Sequence, residues 1–241
     1  MKESEVVVQS EMHAKEGKAA PFWAGVQVAL PIAIGYIPIA IAFGVIARQA
    51  ELTLFDSALM SMLVYAGASQ FMAANMLATG AGGLEVIMAT LVINLRHVVM
   101  GLSLMNLLKG ARPVWKGVLS LGVTDESFAV ASLSGRNHPA FVAGIMLSAY
   151  LAWVGGTLLG GLLYRLIPAD IGASMSIALY AMFISLLIPE MRQERRIVMI
   201  AGTSMFINAL GTWLFHLESG WSIILATLVA SLLFVRKEKE A

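Results

Sequence analysis

The spacing of the charges constrains this chain more than any other feature. No Asp, Glu, Lys or Arg lies between Lys18 and Arg48, Asp56 and Glu85, Arg136 and Arg165, Asp170 and Glu190, Arg196 and Glu218, or Glu218 and Arg236. A helix that crosses a bilayer takes about 20 mostly apolar residues, so each of these gaps holds one span. Two more apolar stretches, 86–108 and 114–133, have the same length but carry charge near their middles. The pattern predicts an all-α, polytopic membrane protein with about eight hydrophobic segments, at about 22–47, 57–79, 86–108, 114–133, 139–164, 171–189, 197–215 and 219–235. A polar N-terminal tail (1–20) and a basic C-terminal tail (236–241) flank this single transmembrane domain (21–235).

Composition removes the competing classes. Charged residues make up 13% and hydrophobic ones 59%, against roughly a quarter and a half in a soluble domain. A net charge of +1 with no basic block leaves nothing to neutralise a run of phosphates, so no nucleic-acid partner is expected. The absence of cysteine removes disulfides, thiolate metal sites and thiol catalysis. The fifteen methionines show no metal-ligand spacing and read as apolar filler, and no metal or cofactor is expected. The run from Phe22 is too long for a signal-peptide core and reads as a retained span. Short links leave no room for a soluble catalytic domain, which places the function inside the bilayer.

Basic residues concentrate on the cytoplasmic side of membrane proteins. With eight full spans, ten Lys and Arg fall on the side of the termini and five on the other, so both termini are expected to be cytoplasmic. Lys109, Arg112 and Lys116 dissent. If one segment before that link and one after it were re-entrant, all the basic clusters would share one side.

Four segments are broken or polar at one depth. In segment 1, Pro31 and Pro38 flank Gly35 and Tyr36. Each proline removes a backbone donor and disturbs the turn before it, giving either a simple kink or a discontinuous helix whose freed backbone groups hold a substrate. The expectation is a first helix broken at Pro31–Pro38, with Tyr36 at the break. Segment 2 carries Tyr65, Ser69 and Gln70 near its centre, and Ser57, Ser61, Tyr65 and Ser69 recur every four residues on one face. A mid-membrane amide such as Gln70 needs a helix, a water or a ligand to satisfy it.

Segment 3 places Asn94, Arg96 and His97 at its middle, with Thr90, Asn94, His97 and Gly101 forming one polar stripe. Segment 4 places Thr124, Asp125 and Glu126 at its middle, and neighbouring acids on a helix splay about 100° apart. Insertion scales charge about 2.5–3.5 kcal/mol for each ion at a helix centre, so Arg96, Asp125 and Glu126 must be paired, hydrated or neutralised. A bridge from Arg96 to one acid leaves the other over, and a spare buried acid is suited to carrying a proton. His97 is available either as a core residue or as a proton relay. In segment 5, Gly144, Ser148, Ala152, Gly156 and Gly160 form a seam that lets another helix backbone approach, whether from this chain or from another subunit.

The motifs Tyr36-Ile-Pro-Ile-Ala-Ile-Ala-Phe-Gly44, Tyr65-Ala-Gly-Ala-Ser-Gln-Phe71, Leu95-Arg-His-Val98 and Gly122-Val-Thr-Asp-Glu-Ser-Phe128 together resemble the AzlC/YgaZ family, the large subunit of bacterial branched-chain amino acid exporters. The likeness is dense from about Pro31 to Ala131 and rests on hydrophobic layout afterwards. It implies an inner-membrane protein that exports L-valine and related amino acids with a small hydrophobic AzlD/YgaH-type subunit. It also implies secondary transport, since no phosphate-binding loop is present.

A zwitterion in low dielectric needs a cationic or dipolar partner for its carboxylate and an acidic or carbonyl partner for its ammonium. Arg96 or the backbone donors at the segment 1 break fit the first role, and Asp125 or Glu126 the second. The competing readings are a passive channel for small solutes and an intramembrane enzyme. The splayed acids make a poor catalytic pair, and no His-Glu-x-x-His spacing is present, so an enzyme is not expected.

Overall fold

The computed structural model describes residues 20–108, 110–167, 194–214 and 219–234, with isolated positions at 177, 184, 187, 188, 191, 192, 216 and 217. Both tails lie outside these residues, as does most of segment 6. Among the described residues the chain is helical and contains no strand. Among these residues three helices are long and apolar enough to cross a membrane: α1 (Ala20–Gln49), α4 (Gly83–Leu107) and α7 (Pro139–Leu163).

Helices α1 and α7 form the axis of the bundle. Gly25 lies against Phe141, Gly44 against Thr157 and Gly161, and Gly160 against Ile41, so residue numbers rise together and the two helices run parallel. A Cβ on Gly25, Gly44, Gly144 or Gly160 would overlap backbone of the facing helix, so glycines on both partners set the separation. In hydrocarbon such close van der Waals packing supplies much of what burial supplies in water. Gly144, Gly156 and Gly160 of the segment 5 seam face α1 within the same chain, whereas Ser148 and Ala152 are only half-buried. Ser148 hydrogen-bonds back to the Gly144 carbonyl.

The expected break in the first helix is absent. Helix α1 runs uninterrupted through Pro31 and Pro38. The two prolines stand seven residues apart and therefore share a face, and that face is exposed. Each forfeits one backbone hydrogen bond on the outer side, while the inner side is held against α7. Gly35 lies on the same outward surface, with no neighbouring atom near its Cβ position.

The breaks occur in segments 2 and 4 instead. Segment 2 consists of α2 (Leu54–Leu59), a π-helical turn (Met60–Val64) and α3 (Gly67–Ala78). Tyr65 ends the π-turn in the left-handed region, at φ 44° and ψ 46°, which costs a bulky residue roughly 1–2 kcal/mol. The four-residue period of Ser57, Ser61, Tyr65 and Ser69 is interrupted there. Segment 4 consists of α5 (Pro113–Leu121) and α6 (Asp125–Leu133), separated by Gly122, Val123 and an extended Thr124.

Both broken segments leave the bundle by the end at which they enter. Leu54 lies against Gly161 near the far end of α7, and Tyr65 reaches mid-depth, where its ring meets Tyr150 with centroids 5.0 Å apart. Helix α3 then climbs back, and Phe71 packs on Phe43 at 5.5 Å. Helix α4 runs the opposite way, and its last residues, Leu104 and Leu108, share a core with Ala29, Phe141 and Ile145 at the near end of α1 and α7. Helix α5 rises from that end, and α6 returns to it before α7 begins. Two re-entrant hairpins of opposite direction therefore meet tip to tip at the centre. Helices α8 (Arg195–Trp213) and α9 (Ser219–Leu233) form a separate antiparallel pair, joined where Ser222 donates to the Asn208 carbonyl at 2.9 Å. Ile224 of α9 packs on Met76 and Ala89.

Candidate functional site

A small cleft lies where the two tips meet the middles of the three long helices. Its walls come from the first tip (Tyr65, Ala66, Gly67, Ala68), the second tip (Thr124, Asp125, Glu126), Arg96 and His97 of α4, Tyr36 of α1 and Trp153 of α7.

The second tip is built on a helix N-terminus. Thr124 caps α6: its hydroxyl accepts from the Ser127 N–H at 3.2 Å, and its own N–H donates to the Ser127 hydroxyl at 2.8 Å. Asp125 and Glu126 follow in the first turn, where the positive end of the helix favours carboxylates. Being adjacent, they diverge. Asp125 turns toward α4 and pairs with Arg96 at 2.7 Å. Glu126 turns toward α1 and accepts a hydrogen bond from the Tyr36 hydroxyl at 2.5 Å. That hydroxyl also lies 2.8 Å from the Thr124 oxygen. The bridge left open between Arg96 and either acid is thus made to Asp125, and Glu126 is held by a neutral hydroxyl.

The first tip is held from behind by Gln70, which is fully buried. Its amide nitrogen donates to Ser61 at 2.9 Å, while its oxygen accepts from the Trp153 indole at 3.0 Å and from the Ala66 N–H at 3.2 Å. Ser61 continues the chain to Thr157 at 2.8 Å. Gln70 is therefore satisfied by protein and does not line the cleft. Ser69 and Asn94 likewise satisfy each other, with Asn94 donating at 3.0 Å, and tie the tip to α4 outside the cleft wall. Gly67 rests on the Trp153 ring, where a Cβ would come within 2.6 Å of the indole edge.

Of the residues singled out by sequence, Tyr36, Tyr65, Arg96, His97, Thr124, Asp125 and Glu126 converge on the cleft, whereas Gly35 and Pro38 point away from it. Trp153 and the Ala66–Ala68 backbone were not anticipated. Tryptophan favours membrane interfaces, so its position halfway along segment 5 was a signal for Trp153. Among the described residues, no three metal-ligating side chains come together.

The description "AzlC protein" belongs to the family that matches residues 31–167. An uncharacterized membrane protein of Archaeoglobus fulgidus is 34% identical over 90% of this chain and 95% of its own length. The inner membrane protein YgaZ of Escherichia coli is 32% identical over 76% of this chain and 78% of its own length. A Bacillus subtilis protein named branched-chain amino acid transport protein AzlC is 25% identical over 80% of this chain and 77% of its own. No solved structure matches.

Proposed function

Because the chain belongs to the AzlC family, we propose that it is a secondary transporter that exports branched-chain amino acids, L-valine and its relatives, across the cytoplasmic membrane together with a small AzlD/YgaH-type subunit. The observation that carries this reading is the meeting of two re-entrant tips around Arg96, Asp125 and Glu126 at one depth. Transporter sites are commonly built from discontinuous helices near the bilayer midplane, where backbone is excused from hydrogen-bonding itself because it lines a cavity. Intramembrane ions are expensive and mark substrate or proton pathways.

Within this reading the Arg96–Asp125 pair neutralises itself and fixes the second tip to α4. Glu126 is the acid available to a substrate ammonium or a proton, and exchange between the two couples export to the proton or electrical gradient. The aliphatic side chain rests on Trp153 and Ala66. His97, beside Arg96 on α4, is the relay candidate.

We propose that the re-entrant hairpins keep the termini on the side expected from sequence and change the side of the link at Lys109, Arg112 and Lys116. If every other segment crosses, segment 6 outside the described residues among them, the return of segments 2 and 4 to their side of entry puts thirteen of the sixteen basic residues on the side of the termini. Only Arg48 and Arg165 lie opposite, and Arg96 is at mid-depth. Lys109, Arg112 and Lys116 no longer dissent, and both termini are assigned to the cytoplasm. The test is intracellular valine in cells lacking this chain and then regaining it, with and without the small subunit. Accumulation that falls only when both are present supports the reading, and unchanged accumulation overturns it.

A further inference from the structure

The two tips present opposite arrangements of the same element. Helix α6 begins with a side-chain cap and two acids of its own. Helix α3, twelve residues long, begins with neither: Ala66 provides no cap, and the first turn carries no acid. The N–H groups of Gly67 and Ala68 are the first two of this helix and have no intrahelical acceptor, and both residues line the cleft. A second feature stands beside them. Tyr65 is 6% exposed and also lines the cleft, yet its hydroxyl has no hydrogen-bond partner among the described residues. A buried, unmatched hydroxyl is unfavourable, and in the same cleft as unpaired N–H groups at the positive end of a helix it completes a set of donors suited to an anion.

We infer that the N-terminus of α3 is the carboxylate subsite: the Gly67 and Ala68 N–H groups and the Tyr65 hydroxyl bind the substrate carboxylate, leaving Arg96 to Asp125. This rests on the proposed transport of amino acids and specifies how the amino acid is oriented. The carboxylate faces the first tip and the ammonium faces Glu126 on the second, so a zwitterion bridges the two hairpins. Neutral backbone dipoles hold the carboxylate without a counter-charge that would have to be stripped away on release.

Binding to the purified full chain, alone and with the small subunit, tests this using three probes: L-valine, isovalerate (carboxylate only) and isobutylamine (ammonium only). Two variants are compared with the parent. Tyr65→Phe removes the hydroxyl and keeps the ring. Ala66→Ser places a capping oxygen at the start of α3, where it competes for the Ala68 N–H while favouring the helix. The expected result is at least a tenfold loss of L-valine and isovalerate binding in each variant, unchanged isobutylamine binding, and a melting temperature equal to or above the parent's. Equal losses for all three probes, or no loss of isovalerate binding, overturn the subsite while the transport reading stands. If the parent binds no branched-chain amino acid in either form, the transport reading fails and the subsite falls with it.

Discussion

Gln70 offers a demanding test of how the first tip is held. Replacing it with Leu keeps most of the volume and removes three hydrogen bonds, to Ser61, Trp153 and the Ala66 N–H. Ser61 retains Thr157, but the Trp153 indole N–H and the Ala66 N–H lose their acceptor in a site that is 0% exposed at Gln70 and 3% at both Trp153 and Ala66. Interhelical hydrogen bonds in membrane proteins average about 0.6 kcal/mol, which puts the loss of three at roughly 2 kcal/mol. Orphaned buried donors cost about 1–3 kcal/mol each, which for two gives roughly 2–6 kcal/mol. The two estimates meet at about 2 kcal/mol, and that is the predicted destabilisation of Gln70→Leu. Reversible unfolding in detergent micelles measures it, and valine flux is predicted to fall along with it as the Tyr65–Ala68 turn shifts. A loss below about half a kcal/mol with full flux would refute the role given to Gln70, because it would mean that water already satisfies these donors.

Pro38→Ala is predicted to leave flux unchanged and stability equal or slightly higher, because the proline sits on the outward face of a continuous helix; loss of transport would restore the broken first helix. Gly160→Leu is predicted to abolish folded protein on size exclusion, because even a Cβ there overlaps the Ile41 backbone. A reporter active only in the cytoplasm, fused after Gly110, is predicted to be active, whereas eight full spans would silence it.

Much of the site was legible because charge at mid-membrane is costly and therefore conspicuous. Arg96, Asp125 and Glu126 announced their depth through the lengths of apolar chain around them, and the 100° splay between adjacent acids foretold that they would take different partners. The position of the breaks was not legible. Proline advertises a break, yet Pro31 and Pro38 sit where a helix braced on its inner side tolerates them. The real turns, Tyr65–Ala66 and Gly122–Thr124, consist of residues that also occur in packed helices. A tyrosine in the left-handed region has no propensity signal because tertiary contacts, here with Tyr150 and through Gln70, hold it there. A re-entrant hairpin is moreover as apolar as a span of equal length, so hydropathy cannot separate them. The basic cluster at Lys109, Arg112 and Lys116 was the one sequence feature that favoured hairpins.

Glu126, on the second tip, is proposed to link substrate movement to the gradient. This link is tested most directly by counterflow and gradient-driven flux of labelled L-valine in proteoliposomes containing this chain and the small subunit. Wild type is predicted to show saturable flux that rises with an imposed proton or electrical gradient. Glu126→Gln should lose the gradient response while the protein remains folded. Flux that is non-saturable and indifferent to the gradient, or an unchanged gradient response in Glu126→Gln, would contradict the account.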